Sequence, residues 1–145
     1  MQELHGHYLE DLEVGMTAIH SKTVTEADVV LFAGISGDIN PVHLDNDYAR
    51  DTMFKGRIAH GMLTASFIST VLGTKLPGPG CIYLSQSLKF RAPVHIGDEV
   101  VATLRVTSLD PEKARATLAC AGAVNGKTVV EGEAVMMVDR RTARQ

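Results

Sequence analysis

The longest uncharged stretch of this chain runs from Ile58 to Thr74, without a single Asp, Glu, Lys or Arg. Within it Met62, Leu63, Ala65, Phe67, Ile68, Val71 and Leu72 fall around the whole helical wheel. Small residues fill the gaps at Thr64, Ser66, Ser69 and Thr70. That spacing predicts a helix from Gly61 to Leu72 that is apolar on all sides and so covered on all sides. Pro77-Gly78-Pro79-Gly80 stops it. The stretch is shorter than the roughly 20 apolar residues of a membrane span. With His60, three Thr and two Ser in it, it reads as a helix buried in protein.

The second half changes period. Ile82–Arg91 alternates Ile82, Leu84, Leu88 and Phe90 against Tyr83, Ser85, Ser87, Lys89 and Arg91, which predicts a strand. Further strands are predicted at Glu99–Leu109, Arg115–Val124 and Val129–Val138. Asp110-Pro111 and Asn125-Gly126 mark the breaks, and Asn-Gly is a strong two-residue hairpin signal. Upstream, Asp11 to Gly15 reads as a turn into a strand at Met16–Val24. Thr25 is a helix N-cap, followed by an apolar helical face of Val29, Val30, Phe32 and Ala33 that ends at Gly34 or Gly37. A turn-rich loop follows, then a short polar helix from Leu44 to Asp51. The polar tail from Asp139 is expected to fray. One buried helix followed by antiparallel strands gives an α+β chain whose curled sheet wraps the helix.

A length of 145 residues suggests one domain with its core at about 12–139. Hydrophobic residues at 45% and charged residues at 21% are ordinary for a globular protein, and a net charge of −3 gives nucleic-acid binding no electrostatic support. The start, MQELHGHYLEDLEVG, has no apolar signal core. Cys81 and Cys120 have no metal-ligand spacing. They fit a reduced, cytoplasmic setting, or one long-range disulfide. No H-x-x-x-H, C-x-x-C, P-loop or G-x-G-x-x-G motif occurs, so neither a metal nor a cofactor is expected.

The candidate chemistry lies in Ser36-Gly37-Asp38-Ile39-Asn40-Pro41-Val42-His43. Gly37 and Pro41 argue against a helix, so a folded loop could aim Asp38 and His43 into one cleft. A carboxylate and an imidazole sharing one water supply a base and an acid near neutral pH. Asn40, before Pro41, is biased to extended backbone, and its amide could hold neighbouring backbone groups. The spacing is equally compatible with Asp38 capping a turn and His43 simply packing. His60-Gly61-Met62 then opens the buried helix, where the first N–H groups lack intrahelical partners and the dipole is positive. Gly61 could offer its N–H to an oxyanion, or could serve close packing alone. Ser69 follows two turns later, either to orient Asp38 or as a small packing residue. No G-x-S-x-G elbow presents it as a nucleophile. Lys89 and Arg91 share a strand face and could hold a phosphate, or merely solvate that face. Asp45, Asp47, Arg50 and Asp51 read as a solvated helix face.

The segment FAGISGDINPVHLDNDYARDTMFKGRIAHG, from Phe32 to Gly61, resembles the MaoC-like dehydratases, especially the (R)-specific enoyl-CoA hydratases. The stretch LPGPGCIYLSQSLKFRAPVHIGDEV, from Leu76 to Val100, is similar to the same family's strand region. The resemblance covers about Leu12 to Asp139. It implies a hot-dog fold, a curled antiparallel sheet around a long central helix, in a homodimer or dimer of dimers joined edge to edge. It implies Asp38 and His43 as the acid/base pair, Gly61 as donor to the thioester carbonyl and Ser69 as the group orienting Asp38. It also places substrate near Asn40, His60 and Met62, and puts Leu72 where an acyl pocket would be limited. The implied substrate is an acyl-CoA or acyl carrier protein thioester, and the implied reaction is reversible syn hydration of a trans-2-enoyl thioester to the (R)-3-hydroxyacyl thioester. The rivals are a 3-hydroxyacyl-[acyl carrier protein] dehydratase, a hot-dog acyl-CoA thioesterase and a non-catalytic acyl-thioester binding module. The residues before Leu12 match no role in the family.

Overall fold

The computed structural model describes residues 2–141. After short 3₁₀ turns at Gln2–Leu4 and Leu9–Asp11 come β1 (Thr17–Thr23), α1 (Glu26–Ser36), α2 (Pro41–Leu44), α3 (Asn46–Arg50) and α4 (Gly61–Thr74). The strands β2 (Ile82–Gln86), β3 (Lys89–Phe90), β4 (Glu99–Asp110), β5 (Arg115–Val124) and β6 (Lys127–Met137) complete the fold. All pairings are antiparallel in the order β1-β4-β5-β6-β2, with β3 also on β6. The sheet packs around α4, which touches β1, β4 and β5. This is the hot-dog arrangement the sequence implies.

Alternation explains the wrapping. Val100, Ala102, Leu104 and Val106 of β4 are buried, while Thr103 and Arg105 between them are exposed. Ala116, Leu118 and Cys120 of β5 and Ala134 and Met136 of β6 join them in one cluster with Leu63, Phe67, Ile68, Val71 and Leu72 of α4. Burying each such large side chain is worth about 1.5–3 kcal/mol. The Asn125-Gly126 turn has φ of 51° and 79°, the paired positive values of a tight hairpin. The expected strand Ile82–Arg91 is broken in two. Its Ser87 carbonyl crosses directly over Gly132 of β6, where any side chain would collide, and pairing resumes only at Lys89.

Three other expectations change. Val30 is 51% exposed, because helical rotation leaves Val29 and Ala33 to face the core and Phe32 half-buried. α4 is not covered on all sides within one chain. Met62, Ser69 and Gly73 form an exposed stripe, with Met62 57% exposed. The tail does not fray at Asp139. Leu9 N–H donates to the Asp139 carbonyl at 2.8 Å, His5 Nε2 lies 3.1 Å from the Asp139 carboxylate, and Arg141 pairs with Asp11 and stacks over the Tyr8 ring. The N-terminal residues thus hold the C-terminal segment; residues 142–145 of the expected tail lie outside the described residues. Both cysteines are free thiols. No helix among the described residues is long and apolar enough to cross a membrane.

Candidate active site

The site begins where α1 stops. Gly37 adopts the left-handed conformation (φ 80°) and donates its N–H to Ala33 O at 2.9 Å, a helix stop that favours glycine. Asp38 leaves the helix with its N–H on Ser36 Oγ at 3.1 Å, and its carboxylate accepts the Asn40 N–H at 3.2 Å. Asn40 Oδ1 in turn accepts the Val42 N–H at 3.1 Å and caps α2. His43 therefore sits on a one-turn helix. The expectation of a helix-free loop fails because Pro41 occupies the first helical position, where its missing N–H and fixed φ favour helix. Asp38 does cap a turn, yet its carboxylate also faces the histidines.

The segment before α4 closes the site from behind. Ile58 O accepts from His43 Nδ1 at 2.7 Å. A carbonyl can only accept, so Nδ1 carries the proton, and in the neutral ring Nε2 keeps its lone pair. His60 Nε2 likewise donates to the Asp38 carbonyl at 2.9 Å, leaving Nδ1 as a lone pair; that atom is buried without a partner. The His60 ring, 2% exposed, stacks on His43 with centroids 3.8 Å apart and tilts against Phe32 at 4.8 Å. His60, expected near substrate, thus touches both members of the candidate pair.

One donor atom each from Asp38, His43 and His60 lies within 4.8 Å of the others. Such a trio raises the question of a metal. An imidazole lone pair lies in its ring plane, and the two rings are only 28° from parallel. Lone pairs confined to two planes stacked so nearly parallel do not converge on one ion at bonding distance unless a ring leaves the stack. The geometry suits proton transfer instead. Thiol nucleophiles are unsuited as well, since burial raises the Cys81 pKa and pushes Cys120 up to about 11.

His60 supplies no side-chain cap to α4. Leu63 and Thr64 N–H bond the His60 carbonyl at 3.0 and 3.3 Å, but the N–H groups of Gly61 and Met62 have no hydrogen-bond partner among the described residues. The positive end of the helix is open there. A methyl group on Gly61 would lie 2.8 Å from Phe90 Cε1. Gly61 borders a cavity of about 410 Å³ together with Phe54, Ile58, Thr64, Phe90 and Arg91.

The remaining expected residues scatter. Arg91 reaches that cavity and pairs with Glu131 at 2.6 Å, whereas Lys89 lines a separate groove across the sheet with Thr103 and Arg105. Lys89 stands opposite Glu131 in register and Arg91 pairs with that same carboxylate, so the two cations share the face that their spacing predicts. Ser69 lies about 12 Å along α4 from Gly61, and the hydrogen bond described for the Asp38 carboxylate is the one from the Asn40 N–H. Ser69 lines an open groove with Phe32, Met62, Ser66 and Tyr83. Leu72 is fully buried in the core. Sequence reasoning missed Arg57, a buried cation bonded to the His43 carbonyl. Its signal was a lone charge between Gly56 and the apolar run that starts at Ile58.

The fold and this arrangement define a class: an α+β hot-dog protein with a carboxylate and an imidazole beside the open end of its central helix. Residues 11–129 match the model of the MaoC like domain, and the chain belongs to that family. It is similar to the (R)-specific enoyl-CoA hydratase of Rhodospirillum rubrum, 58% identical over 93% of this chain and 94% of that protein. It is 52% identical to the 3-hydroxybutyryl-CoA dehydratase of Methylorubrum extorquens, over 97% of this chain and 90% of that protein. Among solved structures, the R-hydratase of Pseudomonas aeruginosa in the unliganded form superposes with a TM-score of 0.89 at 45% identity, covering 94% of this chain and 88% of that one.

Proposed function

We propose that this chain is an (R)-specific enoyl-CoA hydratase, a hydro-lyase that adds water reversibly to a trans-2-enoyl-CoA. The observation that carries the reading is the juxtaposition of the Asp38 carboxylate, His43 and the uncapped N-terminus of α4. Water sits between Asp38 and His43 Nε2. Its oxygen bonds to C3 of the enoyl group while the pair removes one of its protons. A proton from the same pair reaches C2 on the same face, so the addition is syn and the product is the (R)-3-hydroxyacyl thioester. Charge that develops on the thioester oxygen meets the free Gly61 N–H. Asp38 and His43 act as one coupled acid–base unit, and each transfer is worth about 10²–10⁴-fold.

The Rhodospirillum and Methylorubrum relatives, named for the two directions of one chemistry, support a CoA thioester as substrate. The second of them favours a four-carbon acyl group. The test is the loss of enoyl absorbance when the protein meets crotonyl-CoA, beside longer enoyl-CoAs and an enoyl-[acyl carrier protein]. Release of free thiol without that loss would mean a thioesterase. Binding without either would mean a non-catalytic module.

The working unit is proposed to be a homodimer. β2 is an open sheet edge with Ile82, Tyr83 and Leu84 exposed, and the uncovered stripe of α4 with Ser69 faces the groove beside it. A second copy pairing edge to edge would cover both, and Ser69 is a candidate for contact across that interface. A monomer in light scattering at micromolar concentration would count against the assembly.

A further inference from the structure

We propose that Arg57 is a positioning residue that fixes the backbone of His43, an effect on turnover that rests on the hydratase reading. Its side chain is buried, which is costly for a guanidinium without partners. Nε donates to the His43 carbonyl at 2.7 Å, and Nη1 donates to Glu26 Oε1 at 2.7 Å in the first turn of α1. His43 lies in a helix of one turn, and the last carbonyls of any helix lack intrahelical partners. Arg57 satisfies the one that belongs to the reacting residue.

The neighbouring backbone completes the grip. Ile58 O accepts the His43 Nδ1–H at 2.7 Å, and Ile58 N–H donates to Val42 O at 3.3 Å. Three hydrogen bonds from two consecutive residues thus hold the imidazole and the turn beneath it. Asp38 is held by other groups, Asn40 and His60. His60 is common to both members, since its ring also stacks on His43, and Arg57 holds the backbone on the His43 side. The planar fork of arginine meets both acceptors at fixed angles, which a lysine ammonium cannot reproduce. The ion pair with Glu26 is a weak stability device, since Glu26 is largely exposed and screened. Its consequence is orientation of the guanidinium toward His43.

Steady-state kinetics on crotonyl-CoA with Arg57→Ala and Arg57→Lys test this. Displacing a reacting group by about 1 Å can cost 10²-fold, so kcat is expected to fall about 10- to 10²-fold in Arg57→Ala with KM much less affected. Guanidinium ion, below denaturing concentration, is expected to restore part of the Arg57→Ala loss. Arg57→Lys should stay impaired. The exchange-protected His43 Nδ1–H resonance of the native protein should weaken in Arg57→Ala. Turnover within about twofold of native in Arg57→Ala overturns the proposal. So does a loss that guanidinium does not relieve while the His43 resonance is unchanged. If Arg57→Ala does not fold, Glu26→Ala at an exposed position carries the test. A smaller fall in kcat, absent in Glu26→Gln, supports the proposal, and unchanged kcat in Glu26→Ala overturns it. A native protein that hydrates no enoyl thioester refutes the functional reading instead, and the resonance alone then decides the hold on His43.

Discussion

The two longest helices of this protein begin in opposite ways. At α1, Thr25 Oγ1 accepts the Asp28 N–H at 3.1 Å, and the Asp28 carboxylate accepts the Thr25 N–H at 2.9 Å, a reciprocal capping box. Lys22 adds an ion pair to Asp28. At α4 the cap position holds His60, whose ring reaches away to Asp38 and His43, and the first two N–H groups stay free. Capping is worth about 1 kcal/mol to a helix. α1 takes that stabilisation from local side chains. α4 does without it and is stabilised by burial of Leu63, Phe67, Ile68, Val71 and Leu72 in the core. A helix held so firmly by packing can leave its positive end open for a ligand.

Breaking the α4 end should hurt turnover far more than stability. Asp38→Asn or His43→Ala is expected to lower hydration of crotonyl-CoA by about 10²–10⁴-fold, with circular dichroism and melting temperature little changed at Asp38, which is exposed. Near-native rates in either variant would remove the pair from the mechanism. Gly61→Ala keeps the N–H but sets a methyl group at the approach to it, and is expected to cost up to about 10²-fold in kcat/KM, the scale of a lost oxyanion contact. Phe90→Ala in the same chain separates two causes. Phe90 is 54% exposed and its ring can yield, so the double variant should remain slow. Recovery would show that Gly61 serves the Phe90 contact and not the ligand. His60→Phe keeps an aromatic ring for the stack and deletes the Nε2 donor. It should cost about 0.5–1.5 kcal/mol, the net worth of the hydrogen bond to the Asp38 carbonyl, and slow turnover to a lesser degree. A melting temperature equal to native would break that account.

How much of this contrast could be read from the sequence follows the range of the interactions. Thr25 as the N-cap is a local signature and caps α1 as expected, and the structure adds the return bond from Asp28 that completes a capping box. The Asn125-Gly126 hairpin and the alternating β4 and β5 are local as well. Asp38, His43 and Gly61 stood out through a motif, and the structure brings them to one end of α4. The contacts that organise them span longer separations: Arg57 to His43 and Glu26, His60 to Asp38, Phe90 to Gly61. No period in the chain encodes those distances. The shared face of Lys89 and Arg91 is local too: both meet Glu131, although β3 is only two residues long.

The smallest expected effect lies at the α1 end and gives the comparison its reverse arm. Thr25→Ala should cost about 1 kcal/mol of stability in a denaturant titration while leaving kcat and KM intact. A loss of turnover at native stability would mean that the cap itself is coupled to the site, beyond the link from Glu26 through Arg57 to His43. The capping box should also be felt through pH. The Asp28 carboxyl is held below its ordinary range, first by the hydrogen bond from Lys22 and next by the Thr25 N–H. A carboxyl whose folded pKa is depressed adds stability above its unfolded pKa of about 3.9, and that stability is lost as pH falls through the folded value. The group is partly exposed, so solvent screening keeps the effect small. Melting temperatures of native protein and Asp28→Asn should therefore differ at pH 7 and converge as the pH falls below about 4. A gap that persists undiminished in acid would show that Asp28 acts at the helix start through shape or neutral hydrogen bonding and not through its charge.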